Sequence, residues 1–245
     1  MTEINSDYLN SLLSELGIEL DKRQACQFLD YYKLLVEWNE KINLTAITEY
    51  NDVCLKHFAD SASLVRMYPS YDDMSSSLSG KTLCDVGTGA GFPGIPLKIL
   101  VPDLKVTLFD SLDKRIKFLD TVISELGLSG IEAVHGRAED LARTDYRASF
   151  DHSTARAVAA LPVLLEYCLP FLKDGGTFIA YKSDADEELS QSEHALSVLG
   201  GKIVSRENFL LPRSDISRSI IFISKVGETP GAYPRIAGKP SKQPL

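Results

Sequence analysis

At 245 residues the chain has room for one large domain, or a domain with an appendage, and is too short for a multidomain machine. Hydrophobic residues make up 44% and charged residues 24%, which excludes a disordered or fibrous chain. Lys and Arg number 26 against 34 Asp and Glu, and a net charge of -8 is the wrong sign for broad, non-specific binding of naked nucleic acid. The apolar runs fall short of the roughly 18 to 20 residues a membrane span needs. The start MTEINSDYLN has neither a basic flank nor an apolar signal core, so a soluble, cytoplasmic protein without membrane contact is expected. Cys26, Cys54, Cys84 and Cys168 are scattered, with no CxxC or Cys/His cluster, and read as reduced structural thiols with no metal site.

Leu9, Leu12, Leu13 and Leu16 fall at i, i+3, i+4 and i+7 and predict a first helix stopped by Gly17. Asp21 and Gln24 form a capping-box pattern ahead of Ala25, Phe28, Leu29, Tyr32, Leu35 and Val36, which predicts a second helix ending near Trp38. A third is predicted over about residues 51–66. Residues 68–80, rich in Ser and Asp, read as a linker loop between a helical cap over 1–67 and a second domain over 81–245. There the pattern changes to short apolar strands at 81–86, 105–110, 131–135, 150–154 and 176–182. Helical stretches at 93–100, 113–126, 159–172 and 185–199 separate them, which predicts an α/β fold with a mostly parallel sheet covered on both faces. Strands at 202–209 and 219–226 have no helix between them and predict an antiparallel hairpin at the sheet edge. From Lys202 onward eight basic residues face three acidic ones, a balance of +5 that leaves the remainder at -13. Such asymmetry reads either as a basic element that meets an anion or as a solvated tail.

Residues 83–94, Leu-Cys-Asp-Val-Gly-Thr-Gly-Ala-Gly-Phe-Pro-Gly, run from a strand through a glycine turn into a helix, the switch-point geometry at which open parallel sheets bind ligands. Gly89, Gly91 and Gly94 satisfy the dinucleotide pattern, with Asp110 about 20 residues on. Asp85 argues the other way, because a carboxylate just ahead of the turn repels a pyrophosphate and suits a cation. S-adenosylmethionine carries a sulfonium and an ammonium and no phosphate, so Asp85 is expected to hold its amino-acid end while Gly87, Gly89 and Gly91 admit its backbone. A nicotinamide-dependent dehydrogenase remains the rival. Asp110, ending the second strand, is placed to accept from both ribose hydroxyls. Ala138 and Glu139 follow the third strand, where a backbone N-H and an acid can read adenine, although acids also suit a helix start for its own sake. Arg156 follows the fourth strand and pairs with cofactor, substrate or a surface acid; Lys182 ends the fifth and points to the same face.

With these segments in view the chain resembles the RsmG, or glucose-inhibited division protein B, family of bacterial methyltransferases. The resemblance runs almost end to end: residues 34–45 (LLVEWNEKINLT), 56–61 (KHFADS), the turn at 85–94, 110–115 (DSLDKR), 136–139 (GRAE), 154–157 (TARA), and the ending at 233–235 and 238–245. It implies a Rossmann-like class I methyltransferase fold, S-adenosylmethionine as cofactor, and N7 of a guanine in small-subunit (16S) ribosomal RNA as acceptor. It also implies cofactor contacts at Gly87, Phe92, Ala138, Glu139 and Arg156. Ser183 stands where a glycine is expected, and Arg235 lacks the second basic residue that usually follows it, which bears on the substrate grip.

The acceptor also has a reading in chemistry alone. Residues 150–155 (FDHSTA) lack the Asn/Asp-Pro-Pro-aromatic motif that grips an exocyclic amine, and no Pro-Cys nucleophile serves cytosine C5. Guanine N7 needs neither device, because its in-plane lone pair is nucleophilic and carries no proton. His57, one helical turn from Asp60, is expected to touch substrate or cofactor. Arg235, Lys239 and Lys242 of the basic tail, with Lys182, are the expected RNA contacts of a monomer whose target is presented in an assembled or assembling small ribosomal subunit. A non-catalytic assembly factor that keeps the cofactor pocket is the second rival.

Overall fold

Among residues 5–245, which the computed structural model describes, seven strands form one sheet: β1 (Thr82–Val86), β2 (Lys105–Asp110), β3 (Ile131–His135), β4 (Phe150–Arg156), β5 (Leu172–Lys182), β6 (Gly201–Leu210) and β7 (Ser217–Lys225). The order is β3-β2-β1-β4-β5-β7-β6, with β1 to β5 parallel and β7 antiparallel to both β5 and β6. The expected edge hairpin therefore forms, with β7 lying inside β6. The chain reverses its winding between β1 and β4, and that switch point opens a crevice at the strand carboxyl ends.

Alternating side chains divide the sheet between two cores, as a period of two requires. Leu83, Leu108 and Ile179 face one core with the Gly94–Leu100 and Asp113–Glu125 helices. Their neighbours Cys84, Phe109 and Ala180 face the other, with the Leu161–Cys168 and Glu193–Leu199 helices. The Asp7–Ser14 and Lys22–Ile42 helices belong to the first core. At the second of these the capping box forms in both directions, Asp21 accepting from the Gln24 amide at 2.8 Å and Gln24 accepting from the Asp21 amide at 3.0 Å. Buried Gln24 and Gln27 then donate to Ile99 O and Leu126 O, the otherwise orphaned carbonyls at two helix ends.

Three expectations need correction. Residues 68–80 are not a linker loop: a helix spans Tyr71–Leu78, with Ser70 as its N-cap accepting from the Asp73 amide at 3.2 Å. Tyr71, Met74 and Leu78 lie at i, i+3 and i+7; Met74 and Leu78 are buried in the shared core, and Tyr71 donates to Leu100 O. The Ser and Asp that suggested a loop are the cap and the exposed face. The cap expected over 1–67, whose first four residues lie outside those described, thus shares its core with the sheet. Residues 50–67 are helical as expected, but Cys54–Ala59 is a π turn and Ser63–Met67 a 3-10 turn. The helix expected over 185–199 breaks at Gln191 and Ser192 into Asp186–Ser190 and Glu193–Leu199.

Candidate active site

The turn after β1 is built around Asp85. Its buried carboxylate accepts from Thr88 Oγ1 at 2.7 Å and from the Gly94 amide at 2.9 Å, both through Oδ2, while Oδ1 accepts from no described residue. Burial pushes this carboxyl up to about 6, against the opposing pull of Thr88, Gly94 and Arg156. A Cβ on Gly94 would stand 2.5 Å from Leu108 Cδ2 and 2.9 Å from Asp85 Oδ2, so helix and strand approach only because it has none. At Gly91, φ is +95° and a Cβ would meet Tyr31 Oη at 2.7 Å. The Tyr31 hydroxyl donates to Ala90 O, so the N-terminal helices grip the turn directly.

Two cavities open at the strand ends. The first, about 310 Å³, is lined by Gly87, Asp110, Arg137, Ala138, Glu139, Val158, Tyr167 and Gly238. Asp110 is held by three donors: the Gly89 amide at 3.0 Å, the Leu112 amide at 3.0 Å and Arg115 at 3.1 Å. A carboxylate offers about four acceptor sites, so little of Asp110 is left over in this arrangement. Glu139, also buried, accepts from the Gly238 amide at 2.9 Å.

The second cavity, about 340 Å³, is lined by Lys56, His57, Asp60, Arg156, Ala157, Lys182 and Arg218. Buried Asp60 bridges Arg156 at 2.7 Å and Arg218 at 3.0 Å. The π turn carries His57 onto Phe92, with ring centroids 4.5 Å apart and planes inclined by 16°. Arg156 lies over the same Phe92 ring and donates to His57 Nδ1 at 3.1 Å and to Lys56 O at 3.1 Å. An arginine only donates, so Nδ1 must accept, which puts the ring proton on Nε2, 3.0 Å from Thr45 Oγ1. Burial, then Arg156, drives the His57 pKa down to about 3, keeping the imidazole neutral. Lys182 is paired with Glu188 at 2.7 Å and donates to Ala159 O, yet still faces the cavity.

The expected residues thus separate. Gly87, Asp110, Ala138 and Glu139 meet in the first cavity; His57, Arg156 and Lys182 meet in the second; Asp85, Gly89, Gly91 and Phe92 form the turn and its packing and line neither. Asp85 supports the turn from beneath through Oδ2 and keeps Oδ1 without a partner among the described residues. Arg235 is a correction: its guanidinium and backbone amide both bind Glu166, which is fully buried, at 2.6 to 3.1 Å. That arginine neutralises an internal acid rather than reaching outward. Lys239 and Lys242 are exposed on a short Lys239–Lys242 helix and line neither cavity. Arg218, Gly238 and Tyr167 carry no local sign of a site role in the sequence: the β5–β7 register brings Arg218 to the crevice and the folded-back tail brings Gly238, while Tyr167 comes from the Leu161–Cys168 helix, whose pattern reads as apolar.

Known proteins share this arrangement at two levels. The family model described as GidB, rRNA small subunit methyltransferase G, matches residues 24–216. Proteins named Ribosomal RNA small subunit methyltransferase G are 54% identical over 243 residues in Lachnoclostridium phytofermentans and 53% identical over 237 residues in Geobacillus kaustophilus. The first match covers 98% of this chain and 97% of that protein, the second 96% and 97%. Among solved structures, a mutant of MtNAS superposes with a TM-score of 0.54 at 12% identity, covering 89% of this chain and 78% of that one. P. horikoshii TYW2 in complex with MeSAdo gives 0.50 at 13% identity, covering 62% and 59%. These distant likenesses establish the Rossmann-like methyltransferase fold of the sheet, while identity above 50% along nearly the whole length goes further: the chain belongs to the rRNA small subunit methyltransferase G family.

Proposed function

We propose that the protein transfers a methyl group from S-adenosylmethionine to N7 of a guanine in small-subunit ribosomal RNA. The observation that carries this reading is the backbone turn after β4, where Ala157 lines the cationic cavity and its neighbour Val158 lines the acidic one. A nucleoside held on one side of that peptide therefore has its reactive end next to whatever occupies the other. Ala157 has φ +57°, a left-handed conformation that costs a non-glycine residue about 1 kcal/mol, so the turn is held in place rather than relaxed.

The residues fit the cofactor. Asp110 and Glu139 face Arg137 as the charged lining of the first cavity, a balance that suits hydroxyls, an amine and a sulfonium and opposes a pyrophosphate. Asp85 adds a buried carboxylate, one oxygen of which has no partner among the described residues, under the turn. Asp110 would take a ribose hydroxyl with the acceptor site its three donors leave, Glu139 and Ala138 the adenine edge, and Gly87, Gly89 and Gly91 would admit the methionine chain, with Arg156, backed by the Phe92 ring, forming the wall toward substrate. When bound, S-adenosylmethionine supplies a methyl group on a sulfonium, open to direct displacement.

Lys56, Arg156, Lys182 and Arg218 give the second cavity a cationic lining, relieved by Asp60, in which a guanine and its phosphate are held. No base is required, and His57 does not offer one, because Arg156 occupies Nδ1 and Nε2 faces Thr45. Cysteine chemistry is disfavoured too: Cys54, Cys84 and Cys168 are buried, and burial pushes the Cys54 thiol up to about 12. The helices before residue 67 act as the cap of this cleft. A monomer working in the cytoplasm on an assembled or assembling small subunit completes the reading, since an acidic chain suits a target whose shape supplies contacts. Incubation with labelled S-adenosylmethionine and purified small subunits tests it: label at a guanine that becomes chemically cleavable supports N7, and label resistant to cleavage, or none, overturns it.

A further inference from the structure

The chain beyond β7 folds back onto the body. Arg147 donates to Thr229 O at 2.7 Å and Tyr233 O at 2.9 Å, Arg143 donates to Pro234 O, and Arg235 is pinned on Glu166. Past that anchor the segment reaches the acidic cavity. Gly238 lines it, in the left-handed conformation at φ +80°, and donates its N-H to Glu139 Oε1 at 2.9 Å; Ser241 Oγ lies 2.9 Å from Tyr167 Oη. Glu139 and Tyr167 both line the cavity, so two of its side chains are tied to one strap from the C-terminus.

We propose that residues 238–241 are a built part of the nucleoside pocket, and that Gly238 is a positioning residue which fixes the Glu139 carboxylate for an adenine amine. This rests on the reading of that cavity as the cofactor's nucleoside half. A glutamate side chain turns about three torsions, and a ligand that meets it already fixed loses no affinity to its ordering. The Gly238 N-H occupies one carboxylate oxygen and leaves the other to accept from the ligand, while the Ser241 contact steadies the Tyr167 ring beside it. The strap thus belongs to cofactor recognition, separate from any RNA contact made by its exposed lysines.

The test uses the full-length chain, with adenosine and S-adenosylhomocysteine as probes in calorimetry. Gly238→Pro removes the N-H and, because proline holds φ at about -65° where Gly238 has +80°, also undoes the turn of the strap, so it is expected to raise Kd for both at least about 10-fold. Glu139→Ala, which removes the carboxylate that the strap positions, is expected to raise Kd for both probes about 10-fold. Ser241→Ala, which leaves the strap backbone intact, is expected to raise Kd about 3-fold and decides the matter should Gly238→Pro prove unstable. Unchanged Kd in these variants, or a rise confined to KM for RNA, overturns the proposal. Wild-type protein that binds neither probe overturns the cofactor reading itself, whereas binding by wild type and variants alike overturns only the role of the strap.

Discussion

Asp85→Asn separates the two things this carboxylate does. Its pKa rises from the ordinary 3.8 to about 6 through burial, so the folded chain binds a proton there more tightly than the unfolded chain. Unfolded protein releases that proton near pH 4 and folded protein near pH 6, so between these values the native state carries the extra proton. Stability contributed by the group is therefore present below about pH 4, declines as pH rises, and levels off above about pH 6. At about 1.36 kcal/mol per pK unit the decline is about 3 kcal/mol, undiluted by solvent because the side chain is fully buried. Asn keeps an oxygen for Thr88 and Gly94 and has no charge to titrate. Whatever constant offset the substitution brings, the wild-type advantage over Asp85→Asn should shrink by about 3 kcal/mol between pH 4 and 7. Urea unfolding of both proteins across that range measures it. Calorimetry at pH 7 supplies the second half: the ionised carboxylate, unfavourable alone, is favourable beside a sulfonium and an ammonium, so the variant should bind S-adenosylmethionine at least 10-fold more weakly. A stability difference that is flat with pH, or undiminished affinity in the variant, refutes the reasoning.

The remaining predictions separate stability from substrate handling. Arg235→Ala leaves Glu166 buried and unpaired and should destabilise the fold by about 3 kcal/mol, read as a lower denaturation midpoint. Lys239→Ala with Lys242→Ala should leave that midpoint unchanged and reduce methylation of small subunits, most at low salt, with the gap to wild type closing as salt rises. Arg218→Ala, which removes one of the two arginines on Asp60, should lower kcat/KM for RNA about 10- to 100-fold while Kd for S-adenosylmethionine stays within twofold. Met74→Ala should cost about 2 to 4 kcal/mol in urea unfolding, a loss that a surface loop would not register.

How far the sequence reveals the molecule depends on the range of the contact that decides each feature. β2 and β3 lie at the expected bounds because apolar runs between polar turns specify them locally. The capping box at Asp21 is equally local. Residues 71–78 mislead because Ser and Asp serve a loop and a helix cap equally well; the deciding fact is that Met74 and Leu78 meet a core made by segments far along the chain. Arg235 misleads for a related reason. Its charge is legible and its partner, Glu166, lies 69 residues away on a helix whose pattern reads as apolar. Arg218 had no local sign of its role, because pairing of β7 with β5 is what brings the end of that strand beside Lys182.

Net charge and local field part company in the same way. A chain at -8 repels a polyanion at long range, yet beyond about 10 Å salt screens that repulsion and nearby groups dominate. At the mouth of the second cavity the nearby groups are Lys56, Arg156, Lys182 and Arg218. Three of these four cations are held on Asp60 or Glu188, and Lys56 is held on Asp52, so the side chains are already oriented when a phosphate arrives. Paired cations attract weakly at a distance and bind firmly only at contact, where fixed donors need no reordering. On the proposed function such a site discriminates by fit: it offers little to free RNA of arbitrary shape and would offer its full set of donors to a guanine held at the right depth. The acidic body then contributes to selectivity by discouraging the many RNA surfaces that bring no matching shape.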